Sequence, residues 1–242
     1  TDYQIIGLDN LNDYYDASLK EERLNFIENS EKFIFRKIDI SNKELILELF
    51  GKHNPDYVIH LAAQALVRES YRSPEETIET NVMGTVNVLD SSFATKSVKA
   101  IIAVTTDKVY KNENSGKLFR ENDALAGKDP YSASKVGSES VIAAWQQITR
   151  VQGGPPVVSV RAGNVIGGGD TAENRLIPDL IRGFLANSKT VIRFPHSIRP
   201  WQHVLDCLNG YLMLIERAAI EKELDGTAWN FGPDLDDHKR VF

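Results

Sequence analysis

The sequence is poor in the residues and patterns that mark several large classes of protein. Its 242 residues include one cysteine, Cys207, so no disulfide bond can form within the chain, and we expect a location in the reducing cytoplasm. Neither a CxxC nor an HExxH spacing occurs, which argues against a metal site. No apolar run approaches the roughly 18 residues of a membrane span, so no membrane partner is predicted.

Positive charge is also in short supply. Lysine and arginine residues number 28, against 34 aspartate and glutamate residues, and the resulting net charge of −6 argues against a general nucleic-acid binder. This balance does not exclude an anionic small substrate, because a few local arginines are enough to bind one.

The sequence does contain a regular alternation of two kinds of segment. Short apolar runs with the composition of strands buried on both faces occur at 5–8, 33–38, 57–61, 100–104 and 157–160. Amphipathic stretches of helical length lie near 17–29, 41–52, 74–95, 132–151 and 176–187. This rhythm predicts the α/β class, with a doubly wound, Rossmann-like parallel sheet and a small inserted substrate-binding lobe.

The residues that follow the predicted strands are the first candidates for a site, because ligands of such sheets bind at the carboxyl ends of the strands. They are Asp9, Asn10, Asp39, Ile40, Ala62, Ala63, Gln64, Thr105, Thr106, Asp107, Lys108 and Asn164. An acidic residue at a strand end can accept hydrogen bonds from the adenosine ribose of a dinucleotide, and Asp9 fits that role. Its charge would repel a ribose 2′-phosphate, which favours NAD over NADP. The alternative is a solvated aspartate or a helix cap.

The segment Y-S-A-S-K at 131–135 is the strongest single element. Tyr131 and Lys135 are four residues apart, so on a helix they lie on one face, one turn apart. A free tyrosine has a pKa of about 10, and a nearby ammonium group lowers that pKa by favouring the phenolate. The same lysine is suited to bind the nicotinamide ribose. The alternative is an ordinary helix start, after Pro130, with a surface lysine.

These elements together resemble the extended short-chain dehydrogenase/reductase family. The resemblance lies in Thr106 within V-T-T-D-K-V-Y, in Y-S-A-S-K, in Asn81 within N-V-M-G-T, and in L-A-A-Q at 61–64. Within that family, four further segments resemble the CDP-glucose 4,6-dehydratases: R-A-G-N-V-I-G-G-G-D (161–170), R-L-I-P-D (175–179), I-R-P-W-Q-H-V (198–204) and W-N-F-G-P (229–233). This narrower resemblance covers roughly residues 60–242.

The resemblance implies NAD as the cofactor, a nucleotide-linked sugar as the substrate, and a homodimer formed through the helices near 74–95 and 132–151. The residues it implies for NAD are Asp9, Asn10, Asp39, Ile40, Leu61, Ala62, Ala63, Gln64, Asn81, Thr105, Tyr131 and Lys135. The residues it implies for the substrate are Asn164, Arg175, Leu176, Arg199 and His203. For the two arginines the alternative is a surface ion pair, and for His203 it is a structural role.

The chemistry that the resemblance implies is removal of water from the sugar. Tyr131, as a phenolate beside Thr106 and Lys135, takes the proton of the sugar 4-hydroxyl while NAD takes the hydride from C4. The 4-keto group acidifies the C5 proton, water leaves across C5 and C6, and hydride returns to C6. Such an elimination needs an acid and a base. Asp107 is expected to protonate the leaving hydroxyl, and Lys108 to act at C5, which requires a depressed pKa. The alternative is a solvated turn pair.

Two features of the sequence depart from this pattern. The segment I-G-L-D-N-L-N-D-Y-Y-D-A-S-L-K resembles the nucleotide-uronate 4-epimerases, which raises the rival prediction of a 4-epimerase that needs no acid and base beside the threonine. Thr171 stands where the CDP-glucose dehydratases usually have a tryptophan. A third hypothesis is a regulator that binds NAD without catalysis, and the intact Thr106, Tyr131 and Lys135 argue against it.

We assign residues 1–164 to an NAD-binding, Rossmann-like domain and residues 165–242 mainly to substrate-binding segments with some return to the core sheet. The first strand and the glycine-rich phosphate loop of the family do not occur in the sequence. We therefore expect the chain to be a fragment.

Overall fold

The computed structural model describes residues 3–14, 16–27, 29–234 and 239–240. The strands are β1 (Ile5–Asp9), β2 (Phe33–Lys37), β3 (Tyr57–His60), β4 (Ala100–Val104), β5 (Val157–Ala162), β6 (Asn164–Ile166), β7 (Ile198–Arg199), β8 (Trp201–His203), β9 (Ala228–Phe231) and β10 (Lys239–Arg240). The α-helices are α1 (Ala17–Ile27), α2 (Lys43–His53), α3 (Val67–Arg72), α4 (Pro74–Ile78), α5 (Gly84–Ala94), α6 (Pro130–Gln152), α7 (Leu176–Leu185) and α8 (Val204–Ala218).

The chain divides into two compact units. The smaller unit consists of Thr1–Asp39, Ile166–Arg199 and Lys239–Phe242, and the larger unit of Ile40–Val165 and Pro200–His238. The predicted division at residues 164 and 165 stays a prediction.

The smaller unit contains the first predicted strand–helix–strand segment. Strands β1 and β2 pair in parallel from Ile5 with Phe33 to Asp9 with Lys37, and α1 connects them along the chain. This pairing brings the carboxyl ends of both strands to one edge, as expected for a parallel pair. Strands β7 and β10 pair antiparallel in the same unit.

The larger unit is built on a parallel sheet with the strand order β3-β4-β5-β9. The three predicted apolar runs of this region form β3, β4 and β5, and β9 is the predicted return of the chain to the sheet. Strand β4 is apolar throughout, which suits a strand covered on both faces. Strands β6 and β8 form a separate pair.

Helices cover both faces of this sheet, as the contacts of successive side chains of β5 show. Val158 and Val160 belong to the apolar cluster that contains Cys207 and Tyr211 of α8. Ser159, between them, donates a hydrogen bond to Glu139 of α6 (2.8 Å). Successive side chains of a strand point to opposite faces, so α8 lies on one face and α6 on the other. The larger unit is therefore doubly wound, as predicted.

The helix predicted over 74–95 is interrupted in the structure. Helix α4 ends at Ile78, a π-helical turn spans Glu79–Met83, and α5 follows from Gly84. A π turn shifts the hydrogen-bond register by one residue, and such turns are frequent at functional sites. In the described part of the chain, no helix is both long and apolar enough to span a bilayer.

Candidate active site

The turn after β4 carries three of the predicted catalytic residues. Thr106 precedes a short 3₁₀ helix, Asp107–Val109, and its hydroxyl accepts from the Lys108 amide (3.4 Å) and donates to Asp107 Oδ1 (3.2 Å). Asp107 lies beside Gly163, because a Cβ on that glycine would stand 3.6 Å from Asp107 Oδ2. The chain before Asn164 therefore passes next to the predicted proton donor.

Helix α6 brings Tyr131 to the same place. Asp129 caps the helix by accepting from the Ser132 amide (2.9 Å), and Pro130 occupies the first turn, where its missing N–H costs nothing. Tyr131 is 8% exposed, and the Nζ atom of Lys108 lies 5.7 Å from the centre of its ring. The structure therefore brings the predicted base at C5 next to the predicted phenolate.

Lys135 is buried one helical turn beyond Tyr131. It is 5% exposed, and its ammonium donates one hydrogen bond, to the Val104 carbonyl oxygen (3.2 Å). Burial lowers the pKa of Lys135 to about 8, and the negative charge of Glu139 acts in the opposite direction. An ammonium has three N–H donors, so this one keeps hydrogen-bonding capacity for a ribose hydroxyl or a phenolate. The residue fits the predicted role towards NAD.

Asn81 lies in the π turn and fastens it to the end of β3. Its Oδ1 accepts from the backbone N–H of Gln64 (2.8 Å), and its Nδ2 donates to the backbone carbonyl of Gln64 (3.0 Å) and to Ser134 Oγ (2.8 Å). The Gln64 side chain in turn donates to Thr77 Oγ1 (2.9 Å). Both side chains therefore hold the scaffold together, and a contact of either with a cofactor stays a prediction.

A buried histidine, His60, lies near enough to Lys135 for the charge of the lysine to act on its ring. His60 Nε2 is 3.0 Å from Thr85 Oγ1, and that hydroxyl donates to the Asn81 carbonyl (2.6 Å). Because the hydroxyl has only one proton to give, His60 must donate from Nε2. Burial, together with the positive charge of Lys135, lowers the pKa of His60 to about 3. The ring is therefore neutral at physiological pH.

The other predicted residues of the larger unit lie at strand ends. Leu61 is half exposed, Ala62 and Ala63 follow it, and Ile40 is buried. The Thr105 hydroxyl donates to Glu139. His203 caps α8, its Nδ1 accepting from the Leu205 amide (3.2 Å), which is a structural use of the ring. A substrate contact of His203 stays a prediction.

The predicted residues of the smaller unit form two groups. At the ends of β1 and β2, Asn10 Nδ2 donates to Asp39 Oδ2 (2.7 Å), and Asp9 accepts from Lys20 Nζ (3.0 Å). Arg175 precedes α7, which begins at Leu176, and its guanidinium lies 3.5 Å from Asp170. Arg199 lies in β7. Their ligand contacts stay predictions.

The ion pair between Glu139 and Arg161 was not predicted from the sequence. Arg161, the residue after the predicted apolar run 157–160, lies within β5 and is 5% exposed. It donates two hydrogen bonds to the Glu139 carboxylate of α6. A signal existed, since Glu139 is four residues after Lys135 and so lies on the same helix face. The partner is 22 residues away in sequence, and only the fold reveals it.

The chain is similar in sequence to known proteins. The CDP-glucose 4,6-dehydratase of Salmonella typhimurium is 45% identical over 208 residues, which are 84% of this chain and 58% of that protein. The chain thus spans less than two thirds of the length of that relative.

Solved structures give the same fold. The UDP-glucuronic acid 4-epimerase of Bacillus cereus, in complex with UDP-glucuronic acid and NAD, matches with a TM-score of 0.86 at 22% identity, over 99% of this chain and 72% of that chain. The dTDP-glucose 4,6-dehydratase DesIV of Streptomyces venezuelae, a double mutant with NAD bound, matches with a TM-score of 0.81 at 27% identity, over 96% and 67%. Residues 1–232 also match the family model described as NAD dependent epimerase/dehydratase, and the chain belongs to this family.

Proposed function

We propose that this protein is an NAD-dependent nucleotide-sugar 4,6-dehydratase that acts on CDP-glucose. The observation that carries the proposal is the position of Lys108. Its amino group lies 5.7 Å from the centre of the Tyr131 ring, and it is on the same turn as Asp107. A hydride transfer alone needs the tyrosine and its lysine, whereas a loss of water needs an added base and acid. The 45% identity to a CDP-glucose 4,6-dehydratase supports the same assignment.

In this reaction each of the predicted catalytic side chains acts on a particular proton or charge. Tyr131, as phenolate, takes the proton of the sugar 4-hydroxyl, and the ammonium of Lys135 stabilises the phenolate through its charge. Lys108 takes the proton from C5. Asp107 gives a proton to the 6-oxygen, which leaves as water. NAD, when bound, supplies the acceptor and donor of hydride.

The second candidate is a 4-epimerase, favoured by the N-terminal segment with Asp9 and Asn10. An epimerase returns hydride to C4 and has no use for an acid and a base at C5 and C6. The two reactions differ in mass, since only dehydration removes a water molecule.

The test is incubation of the full-length protein with NAD and the CDP, UDP, dTDP and GDP forms of glucose, followed by mass spectrometry of the products. We expect loss of one water, fastest with CDP-glucose. A product of unchanged mass would replace the proposal with epimerisation.

A matched pair of variants tests the residue roles. Lys108→Gln is expected to lower the rate of water loss on the order of a hundredfold or more, because the base is removed. Lys111→Gln changes a nearby surface lysine that pairs with Glu113, and it should retain activity. Equal effects of the two changes would contradict the assignment of Lys108.

We also propose a homodimer formed through the helical region of α4, α5 and α6, whose elements pack against each other. Exposed apolar side chains there include Ile78 and Met83. Sedimentation of the wild type as a dimer and of Ile78→Lys as a monomer is expected; a monomeric wild type would contradict it. A cytoplasmic location stays a prediction from the single cysteine.

A further inference from the structure

The carboxylate of Glu139 accepts four hydrogen bonds from three residues. Its Oε1 accepts from Arg161 Nε (2.8 Å), Ser159 Oγ (2.8 Å) and the Thr105 hydroxyl, and its Oε2 accepts from Arg161 Nη2 (2.7 Å). The side chains of Glu139 and Arg161 are each 6% exposed. A buried carboxylate bonded in this way holds its neighbours in one geometry, because displacing the Arg161 donors would leave a buried charge without its ion partner.

The ion pair holds both ends of the turn that carries Asp107 and Lys108. Before the turn, Thr105 donates to Glu139. After it, the Tyr110 hydroxyl accepts from Arg161 Nη1 (3.0 Å) and donates to Asn230 Oδ1 (2.6 Å). The Arg161 guanidinium also lies over the Tyr110 ring, 5.1 Å from its centre.

The same pair reaches the chain that follows the turn. Arg161 Nη1 donates to the Glu121 carbonyl (2.8 Å), and the backbone N–H of Asn230 donates to the Glu121 carboxylate (2.9 Å). Phe119 stacks on Tyr110 with ring centres 5.0 Å apart. The residues after the turn are thereby folded back onto β5 and β9, so Tyr110 has little freedom to move.

Glu139 also belongs to the helix that carries the tyrosine and lysine. It lies one turn after Lys135 and two turns after Tyr131 on α6. One side chain therefore connects the helix that performs the proton transfer at O4 with the turn that performs those at C5 and O6.

We propose that the Glu139–Arg161 ion pair is a positioning device that sets the place of Asp107 and Lys108 relative to Tyr131 and Lys135. This inference rests on the proposed function, and it assigns the pair to the elimination of water. A purely stabilising role accounts less well for it, because buried ion pairs are frequently no more stabilising than apolar residues of similar size.

The experiment compares two variants that each remove one hydroxyl from the ion pair. Tyr110→Phe keeps the ring and removes the hydroxyl that binds Arg161. Tyr110 lies at the end of the turn that carries Asp107 and Lys108. Ser159→Ala removes a hydroxyl that binds Glu139 from the sheet strand β5. Each change costs the ion pair one hydrogen bond. Tyr110→Phe also removes the bond to Asn230, and only this change is expected to loosen the turn.

Two measurements are made on the full-length protein. The first is kcat and KM for water loss from CDP-glucose with NAD. Tyr110→Phe should lower kcat on the order of ten- to a hundredfold with KM within about twofold, because a small misplacement of a reacting group has that effect. Ser159→Ala should leave both constants within about twofold of the wild type.

The second measurement is amide hydrogen exchange without substrate. The amides of Val109 and Tyr110 bond to the carbonyls of Thr106 and Asp107 within the turn (3.3 and 3.4 Å). Their exchange should rise about tenfold in Tyr110→Phe and stay unchanged in Ser159→Ala. Equal responses of the two variants in either measurement would overturn the inference.

Failure of the proposed function would look different. A wild-type protein that removes no water from any nucleotide-glucose would contradict the dehydratase assignment. The exchange of the Val109 and Tyr110 amides would still decide whether the ion pair holds the turn.

Discussion

Two consecutive turns of α6 each bury a charged side chain, and they treat the charge in opposite ways. Lys135 donates one hydrogen bond, to a carbonyl oxygen, and has no ion pair within the described residues. Glu139 accepts four hydrogen bonds, two of them from Arg161. Burial dominates at Lys135 and lowers its pKa to about 8. Burial would raise the pKa of Glu139, but the bonds and charge of Arg161 outweigh it, and the pKa falls.

The difference indicates that the charge of Glu139 holds structural elements in place, whereas the charge of Lys135 is available for the reaction. A carboxylate that is buried and bonded to four internal donors holds the fold in place and is not free to bind a substrate. An ammonium that is buried with donors to spare is held at a cost in stability, which is typical of functional sites. Replacing each buried cation of this region by methionine should therefore change stability in opposite directions.

Arg161→Met is the change with the largest expected effect on stability. It leaves the Glu139 carboxylate buried without its ion partner, and we expect the free energy of unfolding to fall by about 3 to 5 kcal/mol. Urea unfolding at pH 7 measures it. The control is the double variant Arg161→Met with Glu139→Leu, which removes both charges and should recover much of the loss. An Arg161→Met variant as stable as the wild type would contradict the contrast between Glu139 and Lys135.

Lys135→Met should have the opposite sign. Below pH 8 the lysine is charged in both the folded and the unfolded chain, and burial makes the charge costly. Between pH 8 and 10.5 the folded form is neutral while the unfolded form still binds a proton, so the cost disappears as pH rises. The variant should therefore gain roughly 1 to 3 kcal/mol over the wild type at pH 7, with the gain shrinking towards pH 10.5.

The same variant should lose activity, because the charge that favours the Tyr131 phenolate is gone. Urea unfolding of the wild type and of Lys135→Met at pH 7 and pH 10 measures the change in stability. An assay of water loss measures the change in activity. A variant that is less stable than the wild type at pH 7 would show that Lys135 is adequately partnered and would remove the contrast with Glu139.

The contrast between the two turns also marks how far the sequence could be interpreted. The apolar runs predicted the parallel strands, and the spacing of Tyr131 and Lys135 predicted that both lie on one face of α6. Both predictions succeed because they depend on local periodicity. Arg161 could not be paired with Glu139, since that contact joins a strand to a helix across 22 residues.

The π turn escaped prediction for the same reason. The turn coincides with Asn81, whose side chain binds the backbone of Gln64, 17 residues earlier. Helical periodicity over 74–95 cannot show such a contact, because it arises only when β3 and the helix are brought together.

The smallest of the expected effects concerns His60, the neutral group beside Lys135. Its pKa is about 3 in the folded protein and 6.5 in the unfolded chain, so below pH 6.5 only the unfolded chain binds the proton. Stability is therefore complete above pH 6.5 and is lost as pH falls, by about 2 kcal/mol between pH 6.5 and pH 5. His60→Gln keeps an N–H donor for Thr85 and cannot take up a proton. Urea unfolding at the two pH values should show a smaller loss for the variant than for the wild type. Equal losses would mean that other groups dominate the acid sensitivity, and that the desolvation around Lys135 does not extend to His60.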